Sequence, residues 1–306
     1  MLNPFAGGGK AHEKWMRIRP DIQNQLGFYE VYELDNRAEY RNIITKKINE
    51  GEREFIAAGG DGTINLLLNA LAAAPDSILK QIKLGAIGLG SSNDFHKPFR
   101  YDRMLKCVPY RINFANTIQS DIGVVTYFDA RGKQNTRYWL VNSSIGITAE
   151  ANLSFNTPNK ILGYIKEHST SGAILYAALS TLVRFRAREI GLKINGQSPE
   201  DIFIENVAIV RNPYFSGNFH YSTPAEINAG CFHVHLVARQ SIPRKLLTLW
   251  KLSRSGQNNG LTRVRRASYL HISSREPLTL EFDGETVMAQ EACFTLRNRM
   301  IQVCID

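Results

Sequence analysis

Two glycine-rich segments carry the residues best suited to bind phosphate. Residues 59–63 read GGDGT, and residues 88–94 read GLGSSND. Glycine tolerates the positive φ angles that let successive backbone N–H groups converge on an anion, and the N-terminus of a following helix adds partial positive charge. Both segments therefore predict phosphate binding, to which the hydroxyl groups of Thr63, Ser91 and Ser92 can contribute.

Asp61 is the unexpected member of the first segment. A carboxylate next to a phosphate is electrostatically unfavourable unless it holds a metal, accepts a proton or accepts a hydrogen bond from a hydroxyl group. The alternative is that Asp61 only caps the helix that follows.

A further loop of small residues lies at residues 3–10, which read NPFAGGGK. In chain order, the loops that favour phosphate are thus the first at 3–10, the second at 59–63 and the third at 88–94. It is not a Walker A motif, because Ala11 stands where Ser or Thr is required. The second glycine-rich segment is not a dinucleotide fingerprint either, because Asn93 stands where its last glycine is required. Three loops that favour phosphate nevertheless indicate a nucleotide site.

The segments around these loops predict the elements that position them. Residues 55–58 and 84–87 are short apolar runs of strand length, and residues 64–74 have helical periodicity. This pattern predicts a βαβ unit with parallel strands, whose following loops open on the same edge of the sheet. We therefore expect an N-terminal, Rossmann-like α/β domain at residues 1–115.

From about residue 112 the pattern changes to short strands separated by turn residues, which predicts an antiparallel β domain at residues 116–306. The predicted strands are 121–128, 137–142, 189–194, 207–210, 232–237, 269–273 and 278–282. One helix is predicted at residues 171–186, where the apolar residues fall on one face.

Composition excludes several classes of protein. The chain has 306 residues and four widely spaced cysteines, so it does not need a disulfide framework, and no apolar run of about 18 residues predicts a transmembrane helix. The net charge is +9, and residues 227–275 contain no Asp or Glu. Nine cations lie in this stretch: Arg239, Arg244, Lys245, Lys251, Arg254, Arg263, Arg265, Arg266 and Arg275. They favour an anionic partner or form a solvated basic face.

Four motifs together resemble the diacylglycerol kinase catalytic-domain family, which includes bacterial lipid kinases and the sphingosine kinases. They are N-P-x-x-G at residues 3–7, GGDGT at 59–63, GSSNDF at 90–95 and DGE at 283–285. The motifs extend over nearly the whole chain in the order and spacing of the family. GGDG alone also occurs in NAD kinases and phosphofructokinases, whereas the distal DGE favours the lipid kinases.

The resemblance implies a kinase that uses ATP and Mg²⁺, with a nucleotide-binding domain, a β-sandwich domain and an active site in the cleft between them. The residues it implies for nucleotide binding are Asn3, Lys10, Gly59, Gly60, Gly62, Thr63, Ile64, Asn65, Gly90, Ser91, Ser92, Asn93 and Asp94. The candidate catalytic residues are Glu285, Asp61 and Asp283. Glu285 would accept the proton of the lipid hydroxyl group or bind magnesium, and Asp61 is the competing base. The alternative for DGE is an ordinary β-turn.

The sequence departs from the family in two places. Only Met1 and Leu2 precede the first loop, where the family has a full strand, so we expect a mis-assigned start or a truncation. The acidic pattern that binds a structural metal in the family reads NAGCFH at residues 228–233, and oxygen ligands for a hard cation are lacking there. His233 and His235 share one face of a strand and are expected to be structural.

We therefore expect a cytoplasmic kinase at the inner face of the membrane that phosphorylates a lipid hydroxyl group, with diacylglycerol as the leading substrate. Residues 243–254 combine Leu, Trp and cations as an interfacial helix does, and we expect them to bind anionic lipid unless they form a core-packing helix. A homodimer is possible, and no motif indicates a nucleic acid. The alternatives are a kinase of another lipid, a soluble kinase related to NAD kinase, and a nucleotide-binding regulator without catalysis.

Overall fold

A computed structural model describes residues 1–34, 37–99, 103–129, 131–157, 159–217, 219–254 and 262–306. The chain forms two compact units: Met1–Ile122 together with Asn298–Asp306, and Gly123–Arg297. The sequence alone suggested a single division between residues 115 and 116. The structure divides the chain after Ile122 and returns the last nine residues to the first unit.

The first unit is a mixed α/β structure. Its elements are α1 (Ala11–Leu26), α2 (Arg37–Asn49), β1 (Glu54–Gly59), α3 (Asp61–Leu71), α4 (Asp76–Leu79), β2 (Lys83–Gly88), β3 (Met104–Leu105) and β4 (Val108–Arg111). A 3₁₀ turn at Asp94–His96 follows the second glycine-rich segment. The strand β5 (Thr117–Phe128) begins in this unit and continues into the next.

The predicted βαβ unit is confirmed. β1 and β2 pair in parallel from Glu54–Lys83 to Gly59–Gly88, and α3 connects them. Both strands are almost entirely buried because parallel strands are covered on both faces. Leu2 forms parallel bridges to Ala58 and Glu33, and β4 pairs antiparallel with β2. The strands β1 and β2 therefore end at Gly59 and Gly88, where the two glycine-rich segments begin.

The second unit is dominated by antiparallel strands. Its elements are β6 (Gln134–Trp139), β7 (Asn142–Gly146), α5 (Ile147–Asn156), α6 (Lys160–His168), α7 (Thr170–Arg184), β8 (Arg188–Ile194), β9 (Glu200–Val210), β10 (Tyr214–Phe215), β11 (Phe219–His220), β12 (Phe232–Ala238), α8 (Ile242–Arg254), β13 (Arg263–Ala267), β14 (Leu270–Phe282) and β15 (Glu285–Cys304). The end of β15, from Asn298, belongs to the first unit.

The strands of the second unit enclose an apolar core. β9 and β14 each pair with β8 near one end and with β7 near the other. Trp139, Phe232 and Phe294 are fully buried in the cluster that these strands surround. The helix predicted at 171–186 is confirmed as α7.

Two strand predictions are wrong in detail. The segment 137–142 is not one strand, because the amides of residues 140–142 donate to the side chain of Asp283 instead of continuing the ladder. The segments 269–273 and 278–282 are one strand, β14, with an irregularity between Ser273 and Leu278. No helix within the described residues is both long and apolar enough to cross a bilayer.

Candidate functional site

The first two phosphate-favouring loops meet in the first unit. The amide of Asn3 donates to the carbonyl of Ala58, which places the first loop next to the end of β1. The side-chain amide of Asn3 then donates to Oγ1 of Thr63 over 3.0 Å. Asn3 and Thr63, expected from the sequence to lie at the nucleotide, are therefore direct neighbours.

Two glycines allow the second and third loops to touch. A Cβ atom added to Gly90 would lie 2.4 Å from the Cα atom of Gly60, which is closer than real Cβ contacts. A Cβ atom on Gly59 would lie 2.2 Å from Oγ1 of Thr63. Glycine at position 90 is therefore required by backbone packing between the loops that follow β1 and β2, whereas glycine at position 59 leaves room for the side chain of Thr63.

The carboxylate of Asp61 joins the same two loops. Its Oδ2 accepts the amide of Asp94 over 3.1 Å, and its Oδ1 accepts the amide of Phe95 over 2.9 Å. Both oxygens thus satisfy amides at the start of the 3₁₀ turn, as a capping carboxylate does. This accounts for an acidic residue beside a loop that favours phosphate. Asp61 caps the 3₁₀ turn at Asp94–His96, which is distant in sequence, and not the helix α3 in which Asp61 itself lies.

Asn93 fixes the shape of the third loop. It adopts the left-handed conformation with φ 50°. Its Oδ1 accepts the amide of Gly90, and its Nδ2 donates to the carbonyls of Gly88 and Gly90. Asp94 is buried and pairs with Lys97. Ser91 is exposed and Ser92 is half-buried, so these two hydroxyl groups lie on the outer side of the loop.

The three consecutive glycines of the N-terminal loop all have positive φ angles. Gly7, Gly8 and Gly9 have φ angles of 61°, 70° and 85°. A Cβ atom on Gly7 would lie 2.6 Å from the carbonyl oxygen of Leu89, whereas nothing lies within 4 Å of one on Gly8 or Gly9. The N-terminal loop therefore contacts the third loop at Gly7, whereas the space beside Gly8 and Gly9 is open.

Lys14 is a site candidate that sequence reasoning missed. It lies one helical turn after Lys10 on α1, so the two side chains share a face. Partial burial, together with the cations Arg17 and Lys10, lowers the pKa of Lys14. The spacing of Lys10, Lys14 and Arg17 is a signal that could have identified a basic face leading away from the loop.

Two expected nucleotide-binding residues lie behind the loops. Ile64 and Asn65 are both 2% exposed in α3. Asn65 accepts the side-chain amide of Asn69 with its carbonyl and its Oδ1. The side chains of Ile64 and Asn65 thus support α3, while Gly62 lies in its first turn.

In the second unit, Asp283 and Gly284 form a two-residue hairpin turn between β14 and β15. Both have positive φ angles, 47° and 92°, as Asp-Gly hairpin turns require. The Asp283 carboxylate is buried and accepts the amides of Leu140, Val141 and Asn142 over 2.7 to 3.0 Å. Asp283 therefore anchors the turn, and half-buried Glu285 begins the next strand.

Glu281 is a second missed residue at this turn. It is 8% exposed, and its Oε1 accepts the amide of Gly284 over 2.8 Å. Its Oε2 accepts the hydroxyl group of Ser144 over 2.7 Å. The alternation of acidic residues at 281, 283 and 285 is the sequence signal that could have pointed to it.

The predicted lipid-binding role of Lys245 is wrong. This side chain is 7% exposed and forms an ion pair with Oε2 of Glu205 over 2.8 Å, while it donates to the carbonyl of Phe185. Arg265 and Arg266 likewise pair with Glu200 and Glu226. The basic stretch is therefore partly neutralised by acidic residues from elsewhere in the unit.

His233 and His235 have separate partners. Nε2 of His235 lies 3.2 Å from Oγ1 of Thr223, and Nε2 of His233 lies 3.8 Å from Oε1 of Glu226. In the part of the chain that the structure describes, no group of three or more His, Cys, Asp and Glu side chains is arranged to hold a metal ion.

Comparison with known proteins confirms the resemblance inferred from the four motifs. Residues 1–125 match the family model of the diacylglycerol kinase catalytic domain. A diacylglycerol kinase of Staphylococcus carnosus is 24% identical over 293 residues, covering 93% of this chain and 87% of that protein. A diacylglycerol kinase of Staphylococcus haemolyticus is 25% identical over 311 residues, covering 99% and 86%.

Solved structures show the same fold. A crystal structure of a diacylglycerol kinase from Bacillus anthracis has a TM-score of 0.69 at 16% identity, covering 100% of this chain and 95% of that one. Another structure from the same organism has a TM-score of 0.75 at 17% identity, with the same coverage. At these identities the likeness is one of fold.

Proposed function

We propose that this chain, whose first 125 residues match the diacylglycerol kinase catalytic domain, is a lipid kinase that transfers the γ-phosphoryl group of ATP to a lipid hydroxyl group. The observation that carries the proposal is the meeting of three glycine-rich loops, held together by Asn3, Thr63 and Asp61. The names of the relatives favour diacylglycerol as the lipid and phosphatidic acid as the product. The nucleotide-binding role of the first unit and a sandwich arrangement of the second are parts of the same proposal.

The loop cluster fits the phosphates of ATP. Gly60 and Gly90 approach so closely that a side chain on Gly90 does not fit between the two loops. The N-terminus of α3 at Asp61 adds its partial positive charge, and Lys10 adds a full one. ATP supplies the phosphoryl group when it is bound, and the residues of this cluster orient its phosphates.

We assign the role of proton acceptor to Glu285. Phosphoryl transfer needs mainly positioning and charge neutralisation, with one carboxylate to orient the attacking hydroxyl group. The oxygens of Asp61 and Asp283 already accept backbone amides, so these two residues position the loops and the turn. Glu285 follows the anchored turn directly and stands at the glutamate of the DGE motif, which supports it as the carboxylate that accepts the proton.

Magnesium enters the proposal only as the ion that accompanies the phosphates of ATP. Mg²⁺ is commonly bound by substrate phosphates and one or two carboxylates rather than by a complete protein cage. The protein would act as a peripheral enzyme at the inner face of the membrane, where its lipid substrate lies.

The proposal is tested by label transfer from γ-labelled ATP, with magnesium, to a panel of acceptors in mixed micelles. The panel contains diacylglycerol, a sphingoid base and, as a soluble acceptor, NAD. We expect labelled phosphatidic acid from diacylglycerol. Label on the sphingoid base alone would correct the substrate, whereas label on NAD alone, or on no acceptor while ATP still binds, would contradict a lipid kinase.

A further inference from the structure

The helix α8 in the second unit has two polar residues buried and four of its large apolar residues exposed. Lys245 and Thr248 are 7% and 9% exposed. Lys245 is held by Glu205, and the Thr248 hydroxyl group lies within hydrogen-bonding distance of Oε1 of Gln240 and the carbonyl of Arg244. Four large apolar residues of the same helix are 42% to 52% exposed: Ile242, Leu246, Leu247 and Trp250. A helix that packs only against its own core shows the opposite arrangement.

The neighbouring helix α7 repeats this feature. It contacts α8 and exposes Leu175, Leu179 and Val183, which are spaced four residues apart and so share one face. Scattered exposed apolar residues are ordinary, but two adjacent helices with rows of them are not. The two rows indicate a surface that is covered in the working state.

The charges around these rows favour an anionic cover. Arg184, Arg244 and Arg254 are exposed, and neither α7 nor α8 contains an acidic residue. The guanidinium group of Arg254 lies 5.1 Å from the ring centroid of Trp250. A second copy of this surface would bring like charges together, whereas the anionic headgroups of a bilayer complement them.

We propose that the exposed face of α7 and α8 docks on the surface of an anionic bilayer. The apolar side chains of α8 enter the boundary between headgroups and acyl chains, and Arg244 and Arg254 contact lipid phosphates. Helices that lie in this boundary combine Trp and Leu on one side with cations beside them. The inference rests on the proposed function, because a lipid kinase must reach a substrate that lies in the membrane.

Intrinsic fluorescence offers a direct test of insertion. Trp15 and Trp139 are 5% and 0% exposed, so Trp250, at 52%, is the one exposed tryptophan of the three. We expect vesicles of phosphatidylglycerol and phosphatidylcholine to shift the emission of the wild-type protein to the blue, without ATP, and pure phosphatidylcholine to do so much less. The variant Trp250→Phe should lose the shift. No shift with anionic vesicles would overturn the proposal.

Co-sedimentation with the same vesicles tests the surface independently. We expect the double variant Leu247→Glu, Trp250→Glu to reduce the bound fraction by about tenfold or more, since interfacial binding scales with buried apolar area. The control Phe128→Glu places one such charge on an exposed apolar residue at the end of β5 and should bind as the wild type. Wild-type binding by the double variant would contradict the proposal, as would a concentration-dependent dimer that this variant abolishes.

Kinase assays separate this inference from the proposed function. The double variant should phosphorylate a short-chain, dispersed diacylglycerol at the wild-type rate and lose activity only on diacylglycerol in vesicles. Equal loss on both substrates would contradict a docking role for these residues. If the wild-type protein binds vesicles but phosphorylates no lipid, the surface stands and the proposed function fails.

Discussion

Among single residues, Asp61 is a carboxylate whose place in a loop that favours phosphate had several possible explanations. Its sequence context allowed a metal ligand, a base or a helix cap. The structure gives both of its oxygens to the amides of Asp94 and Phe95, which lie more than 30 residues away. The sequence could place Asp61 in the site, but the partner that defines its role depends on how β2 lies beside β1.

Replacing Asp61 by Asn should loosen the connection between the two loops. The Asn side chain offers one acceptor oxygen and directs its NH₂ group at an amide donor, so we expect a loss of about 1–3 kcal/mol in the free energy of unfolding. The KM for ATP should rise more than kcat falls. Denaturant titration and steady-state kinetics measure both, with exposed Asp201→Asn as a matched control. A lower kcat with unchanged KM would favour Asp61 as the base instead.

Glu281 should act as a positioning residue for the hairpin. Glu281→Ala leaves the buried Ser144 hydroxyl group and the Gly284 amide without this acceptor, which should cost about 1–3 kcal/mol in unfolding free energy and lower kcat. Glu281→Gln keeps one acceptor oxygen and should restore most of both. Equal effects of the two variants on kcat, or an unchanged kcat in Glu281→Ala, would refute this role.

Among the helices and strands, hydrophobic periodicity correctly predicted those elements whose pattern is set by neighbouring residues in the sequence. The buried runs around residues 55–58 and 84–87 gave the parallel pair, and the apolar face of residues 171–186 gave α7. The break between β6 and β7 was missed because its cause, the Asp283 carboxylate, lies some 140 residues away. The burial of Lys245 was equally hidden, since its position is decided by Glu205.

The close approach of the loops after β1 and β2 can be tested with one methyl group. Gly90→Ala would place a Cβ atom 2.4 Å from the Cα atom of Gly60, so one loop must move. A displacement on the order of 1 Å can cost on the order of a hundredfold in a positioned reaction, and we expect at least about a tenfold loss in kcat/KM for ATP.

The control for this change is Gly163→Ala. A Cβ atom on Gly163 meets nothing within 4 Å, and alanine favours a helix over glycine by about 1 kcal/mol. This variant of α6 should therefore keep its kinetic constants and unfold at a slightly higher denaturant concentration. Unchanged kinetics in Gly90→Ala would show that the loops do not need their close contact for nucleotide binding.

At the scale of the whole molecule, stability should fall as the solution becomes acidic. Burial, with a smaller contribution from Arg111, lowers the pKa of His96 to about 3, and burial together with His233 lowers that of His235 to about 4. An unfolded histidine has a pKa of 6.5, so below this pH the unfolded chain takes up protons that the folded chain does not. Each residue should then cost roughly 1.4 kcal/mol per pH unit.

The variant His96→Phe isolates one of these contributions. Between about pH 6 and pH 4.5, the free energy of unfolding of this variant should fall less steeply than that of the wild type, by roughly 1.4 kcal/mol per pH unit. Exposed His12→Phe is the matched control for replacing a histidine by phenylalanine. Identical slopes for His96→Phe and the wild type would mean that His96 binds its proton in the folded state.

The division of the chain into two units was the property hardest to predict from the sequence. The change near residue 112 to short strand-like segments separated by turn residues marks where the parallel βαβ pattern stops. The return of Asn298–Asp306 to the first unit leaves no such mark, because Gln302 and Val303 pair with Lys83 and Leu84 across more than 200 residues of chain. Long-range pairing of this kind follows from the fold and not from local pattern.

The proposed role of Glu285 is to accept the proton of a lipid hydroxyl group while the loops of the first unit hold ATP. A single-turnover assay with saturating γ-labelled ATP and diacylglycerol tests it most directly, with wild type, Glu285→Gln and, as control, exposed Glu276→Gln. General-base catalysis typically contributes 10²–10⁴-fold, so we predict about a hundredfold or greater loss for Glu285→Gln with unchanged ATP affinity, and wild-type transfer for the control. Phosphatidic acid formed by Glu285→Gln at the wild-type rate would contradict the account.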